Sequence, residues 1–438
     1  MNQLPSLSGA RVLVWGLGQH GGGLAAARLC AHAGARVEIL DAKPADRCGA
    51  DGANAIAAGF TCHVGDASHP AFTVADLIVP SPAIPPRAWP TTHPPIISAE
   101  ALVLSRHCGP RIAVTGTKGK STTAMILGKL LDWPVVGNSW RPLAEHLLTA
   151  DPAAPLVCEL SSFQLWYLRD LQPRFDAAIL TMLAVDHLDW HPNADHYRTA
   201  KTALLHWSHV VAIAPSAIGL VSAELNRLPE VFYRDGAFFD HSGSLLAQRV
   251  DLPPPGDHNA ANACLALSVA LHLGIDRSVI APRLRSAEPL PHRLRPVHAN
   301  SRLTFIDDSI ATTPESAMAA LASFAGPLAI ILGGSDKGAE FAALASAVAK
   351  RHAKPVLIGT TAQRLAVALR EQGIAAPIAT DMDEAVKLAA TAIGTGTVLL
   401  SPGCASLDMF HGFDHRGNVF ADAARRLFDP GSAALPCG

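Results

Sequence analysis

The sequence predicts an α/β fold in three domains: a Rossmann-like N-terminal domain, a central phosphate-loop domain with a mainly parallel sheet, and a C-terminal Rossmann-like domain. Three observations predict it. Apolar runs of strand length alternate with helical stretches along the 438 residues, which suits parallel strands covered on both faces. Two of those runs pass directly into glycine-rich turns that open helices. Proline-rich segments then interrupt the alternation near residues 97 and 289.

The elements follow in order. "ARVLVWGLGQHGGGLAAARLCAHAGARVEILDAKP" reads as strand, turn, Ala-rich helix and a strand ending in Asp41, which makes a βαβ unit. "ADLIVPSPAIPP" adds a short strand and a Pro-rich loop, so the first domain is placed at 1–97. The second, 98–289, opens with "PRIAVTGTKGKST" and continues through strands at "PLVCELS", "DAAILTML", "HVVAIAP" and "SLLAQRVDL". "LPPPGDHNAANACLALSVALHLG" reads as a turn entering a helix, with Asn259 near its start. "PLPHRLRPVH" reads as the second linker. The third domain, 290–438, repeats the alternation at "LTFIDDS", "LAIILGGS", "PVLIGT" and "TVLLSPG".

Composition narrows the function classes. With 49% hydrophobic residues, 16% charged and a formal net charge of −2, the chain has no charge excess that would suit nucleic acid or an anionic membrane. Its mean hydropathy is positive, yet each apolar run is well short of the roughly 20 residues a membrane helix needs. "MNQLPSLSGARVLVWG" has no basic region followed by an apolar core, so no signal peptide is expected and the chain reads as cytoplasmic. The eight cysteines are then expected to be reduced. No CxxC pair or Cys/His spacing points to zinc.

The chemistry gathers at strand ends. "GTKGKST" at 116–122 lies between a strand and a helix, where backbone N–H groups and the helix start can face phosphate oxygens. Gly116, Thr117, Lys118, Gly119, Lys120, Ser121 and Thr122 form this candidate nucleotide loop. Lys120 supplies a cation, and Ser121 or Thr122 a hydroxyl for magnesium. The glycine spacing is shorter than GxxxxGK[ST] unless Ala113 takes the place of the first glycine. "GLGQHGGG" approximates GxGxxG with Asp41 about twenty positions on, a weak signal open to a dinucleotide, another nucleotide or a structural turn. "VCELSSFQL" ends a strand in Glu159, and "AVDHLDWH" places Asp186, His187, Asp189 and His191 after another. Together these could hold magnesium at the edge of the phosphate-loop sheet. Lys201, alone on an apparent helix, reads as a solvated surface lysine. Asp307 and Asp308 end a strand as a polar rim or a helix cap. Cys404 reads as a small buried residue rather than a nucleophile.

These motifs in this order resemble the Mur ligases of bacterial cell-wall synthesis, over essentially the whole chain. The blocks are "GTKGKST", "ELSSFQL", "DHLDWH", "YRTAK", "GDHNAANACLAL", "LPHRL", "DDSIATT", "GGSDKG" and "SPGCASLDMFHGFDHRGN". The last of them points to the glutamate-adding branch. The resemblance implies an ATP-dependent ligase that phosphorylates a carboxylate, after which an amine attacks the acyl phosphate. Its implied substrates are UDP-N-acetylmuramoyl-L-alanine, glutamate (D favoured over L) and ATP, and it implies a monomer.

Residue roles carried by the resemblance are as follows. Lys120, His187 and Lys201 are catalytic, with Lys201 carbamylated into a ligand for a second magnesium. Ser121, Glu159, His187 and Lys201 hold Mg2+. Asn262 contacts adenine, and Arg293 and Asp308 lie on the nucleotide side. Asn138 contacts the muramoyl-alanine part, Ser161 is substrate-binding, and Gln19, His20 and Asp41 meet the uridine diphosphate. Thr312, Lys337, Ser406 and Phe413 form the glutamate pocket.

Several positions depart from that branch. Ile310 stands where lysine is common, Ala83 replaces a glycine, Ser139–Trp140 replace Ile–Gly, and Lys118 takes the place of asparagine. An L-glutamate-adding variant shares some of these features. A folate polyglutamylating ligase, a non-catalytic nucleotide sensor and a NAD-dependent dehydrogenase are the remaining alternatives.

Overall fold

The central strands of the parallel sheets are nearly continuous in apolar residues and are buried. The computed structural model describes residues 6–18, 21–221, 224–336 and 338–428. The chain divides into two compact units, Met1–Asp251 with Ala260–Ser286, and Leu252–Asn259 with Ala287–Gly438.

The first unit contains two parallel sheets. Thr61–Val64, Arg36–Asp41, Arg11–Trp15 and Leu77–Pro80 lie side by side in that order. The second sheet runs Val135–Gly137, Leu156–Glu159, Arg111–Thr115, Phe175–Leu180 and Ser208–Ile213. In both, the strand leading into a glycine-rich turn is flanked by strands that follow it in opposite directions along the sheet. This is the crevice where open α/β sheets bind ligands. Ile112, Ala113 and Val114 are fully buried in the middle of the second sheet.

The run "SLLAQRVDL" corrects one expectation. Its strand, Leu245–Gln248, does not extend the phosphate-loop sheet. It pairs antiparallel with Ala237–Phe239, which pairs with Phe232–Arg234. The Asp235–Gly236 turn, with φ of 50° and 75°, suits a tight hairpin.

The second unit is built on one sheet, in the order Arg295–Ala299, Leu303–Asp307, Gly396–Leu400, Leu328–Gly333 and Lys354–Ile358. Only the first pair is antiparallel. "PLPHRLRPVH" is therefore not wholly a linker, since its second half is an edge strand. Pro296 is tolerated there because an edge strand needs fewer ladder donors.

Hydrogen bonds to backbone carbonyls and aromatic packing join the two parallel sheets of the first unit. The Arg87 guanidinium donates to the carbonyls of Asp189 and, at 3.1 Å, Trp190. The Trp190 indole N–H donates to Pro82 O at 3.1 Å, and the Tyr167 hydroxyl to Ile84 O at 2.7 Å. Trp89 packs against Trp166 and Tyr167.

Candidate active site

The phosphate loop leaves its strand at Thr115 and turns through Gly116 and Gly119, at φ of 149° and 87°. Neither position accepts a side chain. A Cβ on Gly116 would lie 1.8 Å from Thr181 Oγ1, and one on Gly119 would lie 2.5 Å from Asn262 Oδ1. The loop is braced from behind: Thr117 N donates to Met182 O at 2.7 Å, and Thr181 Oγ1 donates to Lys118 O at 2.6 Å. The helix Lys120–Leu131 then begins with no side-chain cap and no acidic residue in its first turn, the arrangement that favours an anion at a helix start. Lys120 Nζ folds back onto Thr117 O at 3.1 Å. Ser121 and Thr122 are buried.

Glu159 ends the neighbouring strand and is completely buried. Four neutral side chains donate to its carboxylate. Oε1 accepts from Asn138 Nδ2 at 2.8 Å, Ser121 Oγ at 3.1 Å and Ser139 Oγ at 3.3 Å. Oε2 accepts from the Trp140 indole at 2.7 Å. Asn138 is thus engaged with the carboxylate. Sequence reasoning noted Ser139–Trp140 as a departure and gave the pair no role; the polar side chains beside a buried glutamate were the available signal.

Lys201 overturns the solvated-lysine reading. It is 2% exposed, and Nζ donates to Gly116 O at 2.7 Å. Burial pushes its pKa well below the usual lysine value, and the Lys120 charge adds to the effect. One turn earlier Tyr197, also buried, shares a 2.7 Å hydrogen bond with Thr117 Oγ1. The "YRTAK" spacing (i, i+4) was the signal that both point the same way.

His187 sits in a left-handed conformation at φ 53°, with Nε2 3.8 Å from Asp186 Oδ2. Its ring packs edge-on against Phe163. Burial lowers its pKa, as do the charges of Lys201 and Lys120. His191, four residues on, is fully buried between Ser162 Oγ at 2.9 Å and His196 Nδ1 at 2.8 Å. Ser161 closes a capping box with Gln164, which occupies its hydroxyl within the chain.

Among the described residues no group of three or more His, Cys, Asp or Glu could hold a metal ion by itself. Ser121 and Glu159 nonetheless provide the hard oxygen donors of a phosphate-bridging magnesium, which takes one or two carboxylates and completes its shell with phosphates and water. The donor set fits that ion.

In the N-terminal sheet, Asp41 accepts from Leu17 N at 2.9 Å and Lys43 N at 3.0 Å, which ties the strand end to the glycine-rich turn. Gln19 and His20 lie outside the described residues, as does Lys337.

In the second unit Asp308 is buried, accepting from Ser401 Oγ at 2.7 Å and Leu294 N at 3.2 Å. Desolvation raises its pKa to about 7. Asp307 holds His292 Nδ1 at 2.6 Å. Neither aspartate caps a helix; the following helix, Pro314–Ala322, has Thr313 as its N-cap. Arg293 is half-buried and its charge acts on Asp308. Thr312 is exposed and Ser406 buried. Phe413 opens the helix Phe413–Arg426, and its carbonyl accepts from Ser309 Oγ at 2.7 Å. Cys404 is buried, as expected.

Sequence reasoning missed Arg416. The side chain is fully buried, and its guanidinium donates to Ser309 O and Oγ, Cys404 O and Ala405 O at 2.8–3.1 Å.

The comparisons with known proteins bear on this geometry. Residues 114–219 match the Mur ligase middle domain, and residues 292–404 match the Mur ligase glutamate ligase domain. The UDP-N-acetylmuramoylalanine–D-glutamate ligase of Roseiflexus sp. (strain RS-1) is 34% identical, over 94% of this chain and 98% of that protein. The chain belongs to the Mur ligase family. As a Mur ligase it falls among ATP-dependent, amide-bond-forming enzymes, and its mixed α/β architecture is the family's. A second relative, the UDP-N-acetylmuramoyl-L-alanine–L-glutamate ligase of Salinispora tropica, is also 34% identical, covering 97% of this Mur ligase and 99% of its own length. The solved UDP-N-acetylmuramate-alanine ligase of Thermotoga maritima shares the fold at a TM-score of 0.63 and 18% identity, over 95% of this chain and all of that one. A Mycobacterium tuberculosis folylpolyglutamate synthase shares it less fully, at 0.53 over 77% of this chain.

Proposed function

We propose that this Mur ligase joins glutamate, the D enantiomer in preference to L, to UDP-N-acetylmuramoyl-L-alanine at the expense of ATP, in the cytoplasmic synthesis of peptidoglycan precursors. The observation that carries the reading is the meeting of Lys120, the Ser121–Glu159 pair and buried Lys201 around one phosphate loop. Near full-length relatives named for this activity support it.

In this reading the uridine diphosphate rests on the N-terminal glycine-rich turn, with Gln19, His20 and Asp41. The loop amides and Lys120 hold the ATP phosphates, Asn262 faces the adenine, and Arg293 and Asp308 take the nucleotide-side roles the resemblance implies. Asn138 lies toward the muramoyl-alanine part, and Ser161 binds substrate. Magnesium, resting on Ser121 and Glu159 and assisted by His187, would offset phosphate charge as the carboxylate attacks. The carboxylate oxygen displaces ADP to form an acyl phosphate. The glutamate amine then adds to that carbonyl and phosphate leaves. Thr312, Lys337, Ser406 and Phe413 seat the glutamate. Lys201 is carbamylated: a neutral amine is the form that adds to CO2, and burial favours that form. We place the domain boundaries at 1–97, 98–289 and 290–438, in a monomer.

Phosphate release tests the proposal. Release should require ATP, the UDP substrate and glutamate together; release without glutamate, or none with all three, would overturn it. A D-against-L comparison decides the enantiomer. The L-glutamate reading is favoured by Ile310, where D-glutamate enzymes commonly carry lysine, and by the 34% identity to the Salinispora relative.

A further inference from the structure

We propose that Trp140 is the positioning residue of Glu159, fixing Oε2 so that Oε1 alone is presented to the divalent cation beside Ser121. The inference rests on the magnesium site of the preceding section and goes beyond it, because it concerns a residue of this chain that departs from the branch it resembles.

The turn that carries Trp140 is built for this contact. Gly137 stands opposite Glu159 in the parallel register, at φ 98°. A Cβ there would lie 2.3 Å from Glu159 O, so only glycine lets the two backbones approach this closely. Trp140 N then donates to Gly137 O at 2.7 Å, and Gly137 N to Arg141 O at 2.9 Å. This tight turn directs three consecutive side chains, Asn138, Ser139 and Trp140, at one buried carboxylate.

The two carboxylate oxygens are held differently. Two of the donors to Oε1 are hydroxyls, Ser121 and Ser139, which can rotate and become acceptors or metal ligands. Among the described residues the donor to Oε2 is an indole N–H, which cannot accept and has no rotor. A cation arriving at Oε1 meets two hydroxyls that can turn and the Asn138 amide, which a flip of its plane turns from donor to acceptor, whereas at Oε2 the indole N–H holds one lone pair with a proton that cannot turn away. The clamp therefore selects single-oxygen coordination on the phosphate-loop side. Partners that orient a metal ligand typically change affinity about 10–100-fold when removed.

The test uses Mn2+ as the probe, with the full-length protein and a non-hydrolysable ATP analogue. Bound Mn2+ is counted by electron paramagnetic resonance, so the readout does not depend on turnover. W140F keeps a ring in place and removes the N–H. It should weaken Mn2+ binding about tenfold or more while binding of the metal-free nucleotide changes less than twofold. A second measurement stands if W140F folds poorly. In 15N-indole-labelled wild-type protein, the Trp140 resonance should move both on Mn2+-free Mg2+–nucleotide addition and in E159Q. Wild-type Mn2+ affinity in a folded W140F, or a Trp140 resonance indifferent to E159Q, would overturn the inference. If wild type binds Mn2+ but releases no glutamate-dependent phosphate, the proposed reaction fails and the positioning role stands.

Discussion

Lys201 Nζ donates to the carbonyl of Gly116 at 2.7 Å, which puts a nearly inaccessible amine at the foot of the phosphate loop. Burial and the Lys120 charge favour its neutral form. A neutral amine adds through its lone pair to the carbon of CO2, one C=O electron pair moves to oxygen, and a proton leaves. K201A should lower turnover by about 100-fold or more, in line with removal of a group that stabilises transition-state charge. Added formate should restore part of the loss. Phosphate release with and without formate checks this, and full activity in K201A would refute the role.

Two buried groups give opposite pH responses. Burial lowers the His191 pKa to about 4, the His196 charge adding to it. The unfolded chain therefore takes up that proton first, and the stability this group provides is lost as pH falls from 6.5 through 4. The Asp308 pKa rises from 3.8 to about 7. The folded state holds that proton longer, so stability present at low pH is lost as pH rises through 7. Unfolding free energies from urea titrations between pH 4 and 8 should show H191Q flattening the first response by up to roughly 3 kcal/mol and D308N the second by up to roughly 4 kcal/mol.

A Cβ on Gly119 would press on the Asn262 side-chain amide. G119A should weaken ATP binding by more than about tenfold, because the loop must shift and a left-handed φ of 87° is costly for alanine. The unfolding midpoint should change far less than the nucleotide Kd, which calorimetric titration measures.

Arg416 ties Ser309 to the Cys404–Ala405 backbone from a fully buried position. A single lysine ammonium cannot serve both segments, so R416K should cost roughly 2–4 kcal/mol of stability. The glutamate KM should rise along with it, since Ser406 and Phe413 adjoin the tied segments. Urea unfolding and glutamate saturation curves check the pair.

The sequence made the sheets legible wherever the signal was local. Apolar strand runs and the Gly116–Gly119 turn are short-range features, and they form as expected. Lys201 was not legible from its charge, yet it lies on the same helix face as buried Tyr197 and Leu204, so the helical period carried information that the residue type masked. Arg416 is similar, standing one turn before buried Phe420. The strand Arg295–Ala299 was hidden by Pro296, because edge pairing depends on a partner strand rather than on the run itself. The Glu159 clamp needed a register between strands, which no single segment encodes.

The contacts between the parallel sheets of the first unit have a consequence for signalling. The segment that carries His187 ends at Trp190, whose indole and carbonyl are both held by the loop after Leu77–Pro80. The turn that carries His187 and the loop after Leu77–Pro80 are therefore tethered ends of one mechanical linkage. Ordering one end of that linkage reduces the freedom left to the other, so a ligand that fixes either turn lowers the entropy the other still has to lose.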